Sequence, residues 1–299
     1  MSEIHDLIGA NAIISLVLLA ASLSLITALA WIVIQKYGPA LWDVIARLWK
    51  AIAHSPIGRL GRRIPFVSAS LKYTMSVWRY LGMHAVLAFV VCLATVAGFF
   101  ELADEIGVDE ELGVFDERLA LSLSKHVQQP TLELFATITH LGDRNLLLIL
   151  GALVGAYFLL RRWWLHVVTW ALATGVGGIL VRLLKAHFER TRPIHEHALT
   201  DSTGWSFPSG HASGAVLLYG MLSYFIIRHT PSRWHIPIAL TTILLVVFVG
   251  FSRVILQVHY FTDVLAGFSV AAAWLALCVT AFEVVRRRTR QEHLESSRD

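Results

Sequence analysis

The chain has 299 residues, of which 56% are hydrophobic, and its mean hydropathy is +0.62. This composition excludes an ordinary water-soluble domain, and several apolar runs reach the ~20 residues that cross the ~30 Å hydrocarbon core of a bilayer. The net charge of +4 collects in a few loops, which suits an anionic membrane surface and argues against nucleic acid as a partner. Cys92 and Cys278 lie in apolar runs, so no disulfide framework is expected. We therefore predict an all-α, polytopic membrane protein.

Residues 1–80 form the first predicted unit. An apolar span covers 11–34, and the acidic leader before it lacks the positive charge of a secretory signal, so we expect an uncleaved transmembrane anchor. Residues 36–79 carry eight Lys and Arg. Apolar residues within 41–52 recur at helical spacing, which is typical of an amphipathic helix in the membrane interface or of a connecting helix packed on the bundle.

Residues 81–285 form the second predicted unit, a helical bundle of six spans. The spans are expected at 81–102, 145–160, 164–184, 212–227, 236–254 and 262–285. The first two are separated by an acidic loop in which the apolar spacing predicts a short surface helix over 115–127 and another short helix over 131–141. Residues 286–299 are a basic, polar tail.

The basic loops predict the orientation of the chain. Residues 36–79, 161–162, 228–233 and 286–299 hold 17 of the 25 Lys and Arg, and cytoplasmic loops carry such an excess. Seven spans with the N-terminus outside and the C-terminus inside place all four loops in the cytoplasm. The polar segments at the opposite ends of the spans then share the extracytoplasmic face. We expect a multi-pass protein of the inner (plasma) membrane.

Three polar clusters stand at the ends of the spans on that face, at residues 185–193, 207–211 and 252–263. Lys185, Arg192 and Arg253 would repel one another there unless an anion lay between them. Cations close to apolar surroundings usually mark a site, and both side-chain types bind phosphate oxygens well. The clusters therefore predict a phosphate-binding site.

Backbone groups add to this site. The segment Pro208-Ser209-Gly210 directly precedes a predicted span. Gly210 permits close approach of an anion, the first turn of the helix offers free N–H groups, and Ser209 can add a hydroxyl donor. We expect this cradle to hold phosphate without a metal or any other cofactor.

Two histidines could supply the chemistry. His211 lies beside the cradle, and His259 lies four residues before Asp263. If that segment is helical, the carboxylate faces the imidazole, holds one ring nitrogen protonated and directs the other as a nucleophile. Taken singly, each of these residues could be a helix cap or an interfacial side chain. The three clusters together indicate catalysis.

The spacings Lys-x6-Arg-Pro, Pro-Ser-Gly-His and Ser-Arg-x5-His-x3-Asp resemble the signature of the type 2 phosphatidic acid phosphatase superfamily. The matching residues, with no departure, are Lys185, Arg192, Pro193, Pro208, Ser209, Gly210, His211, Ser252, Arg253, His259 and Asp263. The resemblance implies a metal-independent lipid phosphatase with a phosphohistidine intermediate. His259 would be the nucleophile, Asp263 its orienting partner and His211 the general acid. Lys185, Arg192, Ser209, Gly210 and Arg253 would bind the phosphoryl group, with Pro193, Pro208 and Ser252 as structural members. Residues 1–80 lie outside the resemblance.

Other polar residues near the clusters are interpreted more simply. Within the first cluster, and between it and the second, stand His187, Glu189, Arg190, His195, Glu196, His197, Asp201 and Trp205. Their spacing fits no regular metal-ligand pattern, so we expect a solvated loop that recognises a lipid head group. We expect the segment His140-Leu-Gly-Asp143 to cap and turn the chain before a span, without a catalytic role.

The expected activity is hydrolysis of a lipid phosphate or pyrophosphate on the extracytoplasmic face. Candidate substrates are undecaprenyl pyrophosphate, phosphatidylglycerophosphate, phosphatidic acid and the lipid A 1-phosphate, of which the first two suit the bacterial envelope that the resemblance implies. A lipid phosphotransferase would use the same residues. A non-catalytic transporter or scaffold is the alternative from another class, but phosphate binding alone would not need two histidines and an orienting carboxylate. Neither the head group nor the oligomeric state follows from the sequence.

Overall fold

The computed structural model describes residues 89–107, 110–193 and 203–296, together with the single positions Ile14, Ser22, Lys36 and Arg47. All regular secondary structure in these ranges is helical, as predicted. Helix α1 covers 89–104. The other α-helices are α2 Glu111–His126, α3 Gln129–Thr139, α4 Arg144–Leu160, α5 Trp164–Ala171, α6 Gly177–Phe188, α7 Gly210–His229, α8 His235–Ile255 and α9 Phe261–Ser296.

Short 3-10 and π-helical turns join some of these helices into longer segments. A 3-10 turn, His140–Gly142, links α3 to α4, and a π-helical turn, Leu172–Val176, links α5 to α6. In the described part of the chain, five segments are long and apolar enough to cross a membrane: Gln129–Leu160, Trp164–Phe188, Gly210–His229, Ser232–Ile255 and Phe261–Arg290. Their outer surfaces expose large apolar side chains such as Leu153, Leu160 and Leu183, as a lipid-facing surface does.

These segments confirm the helices predicted for the last five spans. The span predicted at 81–102 is described only from residue 89, where it is helical, and the span at 11–34 lies outside the described ranges. The number of spans and the orientation of the termini stay predictions. The two short helices predicted before the third span are confirmed as α2, which begins four residues earlier than expected, and α3. The position of α2 on the membrane surface also stays a prediction.

Helix α7 lies at the centre of the bundle and packs against α4, α6, α8 and α9. Its first turns bury the small residues Ala212, Ser213 and Ala215. Small residues let membrane helices approach closely, so that van der Waals packing holds them together where the hydrophobic effect cannot. Gly267 of α9 shows how close this approach is, because a Cβ atom there would lie 2.8 Å from the carbonyl oxygen of Ser209. The start of α7 is thereby fixed against the start of α9.

Candidate active site

A turn between α8 and α9 presents His259. After α8 ends, the amides of Val258 and His259 both donate to the carbonyl oxygen of Arg253, at 3.1 and 3.2 Å. Gln257 takes the left-handed conformation with φ of 57°, which reverses the chain. His259 is left two residues before α9 with only 3% of its surface exposed.

His259 and Asp263 make the contact predicted from their spacing. Nδ1 of His259 lies 3.1 Å from Oδ2 of Asp263, which also accepts the backbone N–H of Tyr260 at 2.9 Å. An ionised carboxylate only accepts hydrogen bonds, so this pairing assigns the ring proton to Nδ1 and leaves the lone pair on Nε2. Burial lowers the pKa of His259 well below its usual value, and the neighbouring Arg192, Lys185 and Arg253 lower it further. The imidazole is therefore neutral at pH 7.

Arg192 faces that lone pair. Its Nη1 donates to the carbonyl oxygen of Val258 at 2.5 Å and lies 3.1 Å from Nε2 of His259. Its other nitrogens donate to carbonyl oxygens of residues 203–205. The guanidinium therefore stands where an anion attacked by His259 would bind.

The other two cations, Lys185 and Arg253, line the same cavity as Arg192 and His259. Lys185, in the last turn of α6, donates to the carbonyl oxygens of Trp205 and Ser206 at 2.7 and 3.0 Å. Arg253, in the last turn of α8, donates to Oγ1 of Thr139 at 2.8 Å, and its Nε is buried without a partner among the described residues. Backbone oxygens thus partly satisfy Lys185, the hydroxyl of Thr139 partly satisfies Arg253, and phosphate oxygens could replace them.

The N-terminus of α7 completes the cradle. The amide of Ser209 donates to the carbonyl oxygen of Asp263 at 2.8 Å, which anchors the segment. Its Oγ is buried and has no hydrogen-bond partner in the described part of the chain. A buried unsatisfied hydroxyl is unfavourable, and a phosphate oxygen would satisfy it. Gly210 begins the helix, whose first N–H groups also favour an anion.

Asp143 is a site residue that the sequence did not reveal. Its Oδ1 lies 3.0 Å from Nε2 of His211, and its Oδ2 lies 2.7 Å from Nδ1 of His140. We expected the segment 140–143 only to cap and turn the chain. Asp143 does stand at the N-cap of α4, but its side chain makes no capping hydrogen bond. The carboxylate is directed at His211 instead.

The position of Arg190 also differs from the one expected from the sequence. We assigned it to a solvated loop that recognises a head group, and this is wrong because only 10% of its side chain is exposed. The guanidinium bridges Asp263 at 2.8 Å and Asp116 of α2 at 2.9 Å, and it lies over the ring of Tyr260. Burial raises the pKa of Asp116, while Thr262 and Arg190 oppose that rise. Arg190 therefore holds the carboxylate that orients His259.

The remaining predicted residues have structural surroundings or lie outside the described ranges. Ser252 is buried and donates to the carbonyl oxygen of Val249 at 2.6 Å, and Pro193 and Pro208 are buried beside the cradle segments. His187 and Glu189 are exposed. His195, Glu196, His197 and Asp201 lie in the part of the chain that is not described, so their expected role in head-group recognition stays a prediction.

A cavity of about 720 Å³ opens from the cradle. Lys185, Arg192, His211, Arg253 and His259 line its polar end. The cavity continues between α4, α6 and α7 along small and apolar side chains, among them Gly151, Gly178, Val181, Leu147, Leu217 and Leu218. A polar end joined to an apolar arm fits an amphiphilic ligand.

Comparison with known proteins identifies the family. A sequence model of the PAP2 superfamily matches residues 164–287. Phosphatidylglycerophosphatase B of Bacillus subtilis (strain 168) is 36% identical over 170 residues, which are 56% of this chain and 82% of that protein. The chain belongs to the PAP2 superfamily.

A solved PAP2 structure shares the fold. The crystal structure of a transmembrane PAP2-type phosphatidylglycerolphosphate phosphatase from Bacillus subtilis is 32% identical, with a TM-score of 0.58 over 62% of this PAP2 chain and 93% of that chain. These relatives confirm the predicted superfamily and enzyme class, a hydrolase of lipid phosphate esters. The matched residues of the PAP2 model include all three clusters, whereas Asp116 and Asp143 precede them.

Proposed function

We propose that this PAP2 enzyme hydrolyses lipid phosphate without a metal, through a phosphohistidine formed on His259. The observation that carries the proposal is the His259–Asp263 pair, whose unprotonated Nε2 faces the cations at the polar end of the cavity. A neutral, buried imidazole with one nitrogen held by a carboxylate is prepared to attack an electrophile.

The proposed reaction has two steps. Lys185, Arg192 and Arg253 bind the phosphoryl oxygens, Nε2 of His259 attacks phosphorus, and the bond from phosphorus to the lipid oxygen breaks. The departing oxygen keeps the electron pair of that bond and takes a proton from His211. Water then attacks the phosphohistidine, gives a proton back to His211 and releases inorganic phosphate. Asp263 stabilises the positive charge that the phosphorylated imidazole carries between the steps.

The shape of the cavity supports a lipid as the phosphate carrier. Its apolar arm runs into the predicted membrane region between α4 and α6, where hydrocarbon chains would lie. The names of the relatives point to phosphatidylglycerophosphate, which we propose as a substrate together with lipid pyrophosphates such as undecaprenyl pyrophosphate.

Phosphate release by the purified full-length chain in detergent tests this proposal. We expect release from lipid phosphates to survive EDTA, since the cradle supplies the positive charge that a metal would otherwise supply. We also expect vanadate, a mimic of the transferring phosphoryl group, to inhibit. Loss of activity with EDTA that a divalent metal restores would contradict the metal-independent mechanism and direct attention to the histidines at 195 and 197.

We further propose that the site faces the outside of the cell. It lies at the ends of α4, α7 and α9 opposite the basic residues Arg161, Arg228 and Arg286, which the positive-inside rule places in the cytoplasm. Sealed right-side-out vesicles should therefore hydrolyse external p-nitrophenyl phosphate, a membrane-impermeant ester, without detergent. Activity that appears only after the vesicles are opened would reverse the orientation.

A further inference from the structure

The cavity carries positive charge beyond the phosphate cradle. Helix α6 lines it at positions 178, 181, 182 and 185, and α4 lines it at positions 144, 147, 148 and 151. Each set follows the spacing i, i+3, i+4, i+7 and so forms one face of its helix. Each face includes an arginine: Arg182 lies one turn before Lys185 on α6, and Arg144 is the first residue of α4.

Both arginines lie close in the chain to residues of the phosphate site. Arg182 precedes Lys185 by three residues, which places it ~4.5 Å farther along α6 on the same face. Arg144 directly follows Asp143, whose carboxylate holds His211. Both arginines therefore line the cavity next to residues of the cradle.

Neither arginine is neutralised by the residues that the structure describes. Among the described residues, Arg144 and Arg182 make no ion pair and no hydrogen bond, and both are exposed to the cavity. By contrast, Arg190 and Arg228 each bind a carboxylate. Arg182 lies inside the candidate span Trp164–Phe188, where a cation without a partner is unfavourable, and Arg144 begins α4 at the end of the bundle that holds the site. An anionic ligand in the cavity would remove that cost.

We propose that Arg144 and Arg182 bind a second phosphate group of the substrate, located between the transferred phosphoryl group and the hydrocarbon chains. The inference rests on the proposed function and narrows its substrate class. The favoured lipids carry two phosphate groups in series, either as a diphosphate or as two phosphates separated by glycerol. Phosphatidic acid has a single phosphate and leaves both arginines without a ligand.

Three lipids with identical acyl chains test the inference: diacylglycerol pyrophosphate, phosphatidylglycerophosphate and phosphatidic acid. Phosphate release is measured in the same detergent for the wild type, Arg144→Gln, Arg182→Gln and the double variant. Hydrogen bonds to a charged group predict a loss of roughly tenfold in kcat/KM for each arginine, and roughly 100-fold for the double variant, on at least one two-phosphate lipid. The loss should appear mainly in KM, because the second phosphate is bound equally before and during reaction.

Phosphatidic acid and Arg161→Gln are the matched controls. Activity on phosphatidic acid should change less than about threefold in every variant, which also shows that the variants fold. Arg161→Gln removes the same charge from the opposite end of α4, about 26 Å away, and should leave activity on all three lipids unaffected. The two-phosphate lipid that shows the larger loss of kcat/KM indicates whether the site fits a diphosphate or two phosphates separated by glycerol.

Two results would overturn the inference. Equal losses on phosphatidic acid and the two-phosphate lipids would mean that the arginines attract any anionic phospholipid. No loss on either two-phosphate lipid would mean that they bind no part of the substrate. The proposed function fails separately, and the inference with it, if the wild type releases phosphate from none of the three lipids.

Discussion

Replacement of His259 by alanine should abolish phosphate release from every substrate, lipid or aryl. A nucleophile is needed whatever group departs, so a better leaving group cannot rescue the variant. Loss of the nucleophile in serine hydrolases lowers kcat by roughly 10⁶-fold, and we expect a loss of that order here. Rapid quenching of the wild type should also trap an acid-labile phosphoenzyme that His259→Ala lacks.

The matched control is His187→Ala, which removes an exposed histidine two residues from Lys185 and should keep activity on p-nitrophenyl phosphate, which has no lipid head group, within about twofold. The glutamine variant of His259 guards against misfolding, because it retains a polar side chain of similar length. Partial recovery of His259→Ala with p-nitrophenyl phosphate would mean that His259 acts as the acid and that the roles of the two histidines are exchanged.

The pH profile gives an independent check on His259. Because burial and three cations lower its pKa, the unprotonated, nucleophilic form persists to more acidic pH than for a free histidine. The phosphate ester itself takes up a proton near pH 6, and its contribution to the pH profile has to be subtracted first. The remaining fall of kcat/KM on the acidic side, which reports protonation of His259, should then lie below pH 6.5. An acidic limb that stays above pH 6.5 after this correction would contradict the burial described here.

Removal of His211 should affect a lipid far more than an aryl phosphate. A lipid alcohol leaves poorly as an alkoxide and needs a proton, so His211→Ala should lose the ~10²–10⁴-fold that general acid catalysis contributes. p-Nitrophenol is much more acidic and can depart with less help, so the same variant should lose far less with p-nitrophenyl phosphate. The ratio of the two activities is the measurement.

Asp143→Asn, like His211→Ala, should lower activity on the lipid more than activity on p-nitrophenyl phosphate, but by a smaller factor. The carboxylate lies 3.0 Å from Nε2 of His211 and orients the ring by accepting a hydrogen bond from it, which an amide does less well. If Asp143→Asn lowers both activities by the same factor, Asp143 supports the fold around α4 and does not serve the acid. If it changes neither, the contact with His211 has no part in catalysis.

The sequence predicted those parts of the fold and site that depend on local spacing. Apolar runs located the last five spans, because a helix that crosses a bilayer needs a fixed length of apolar residues. The four-residue separation of His259 and Asp263 predicted their contact, because i, i+4 side chains meet on one helical face. The motif cations meet at one end of the bundle because each of them stands at or just beyond the end of a helix.

Contacts between distant segments could not be predicted in this way. Asp143 and His211 are 68 residues apart, and Arg190 lies 73 residues from Asp263 and 74 from Asp116. A single Arg or Asp near a helix end is usually solvated or a cap, so no local pattern distinguished these side chains from their neighbours. The carbonyl oxygens of residues 203–206, which bind Lys185 and Arg192, belong to the backbone and leave no trace in residue type.

On the proposed mechanism, the contact between Arg192 and Nε2 of His259 couples recognition to reactivity. The lone pair on Nε2, the proposed nucleophile, accepts a hydrogen bond from the guanidinium, which competes with its attack on phosphorus. A phosphoryl group that binds Arg192 draws the guanidinium onto its own oxygens and uncovers the nitrogen in the same movement. On this mechanism a neutral ester that reaches the cavity meets a masked histidine, and no separate lid or switch is needed to keep the idle enzyme unreactive.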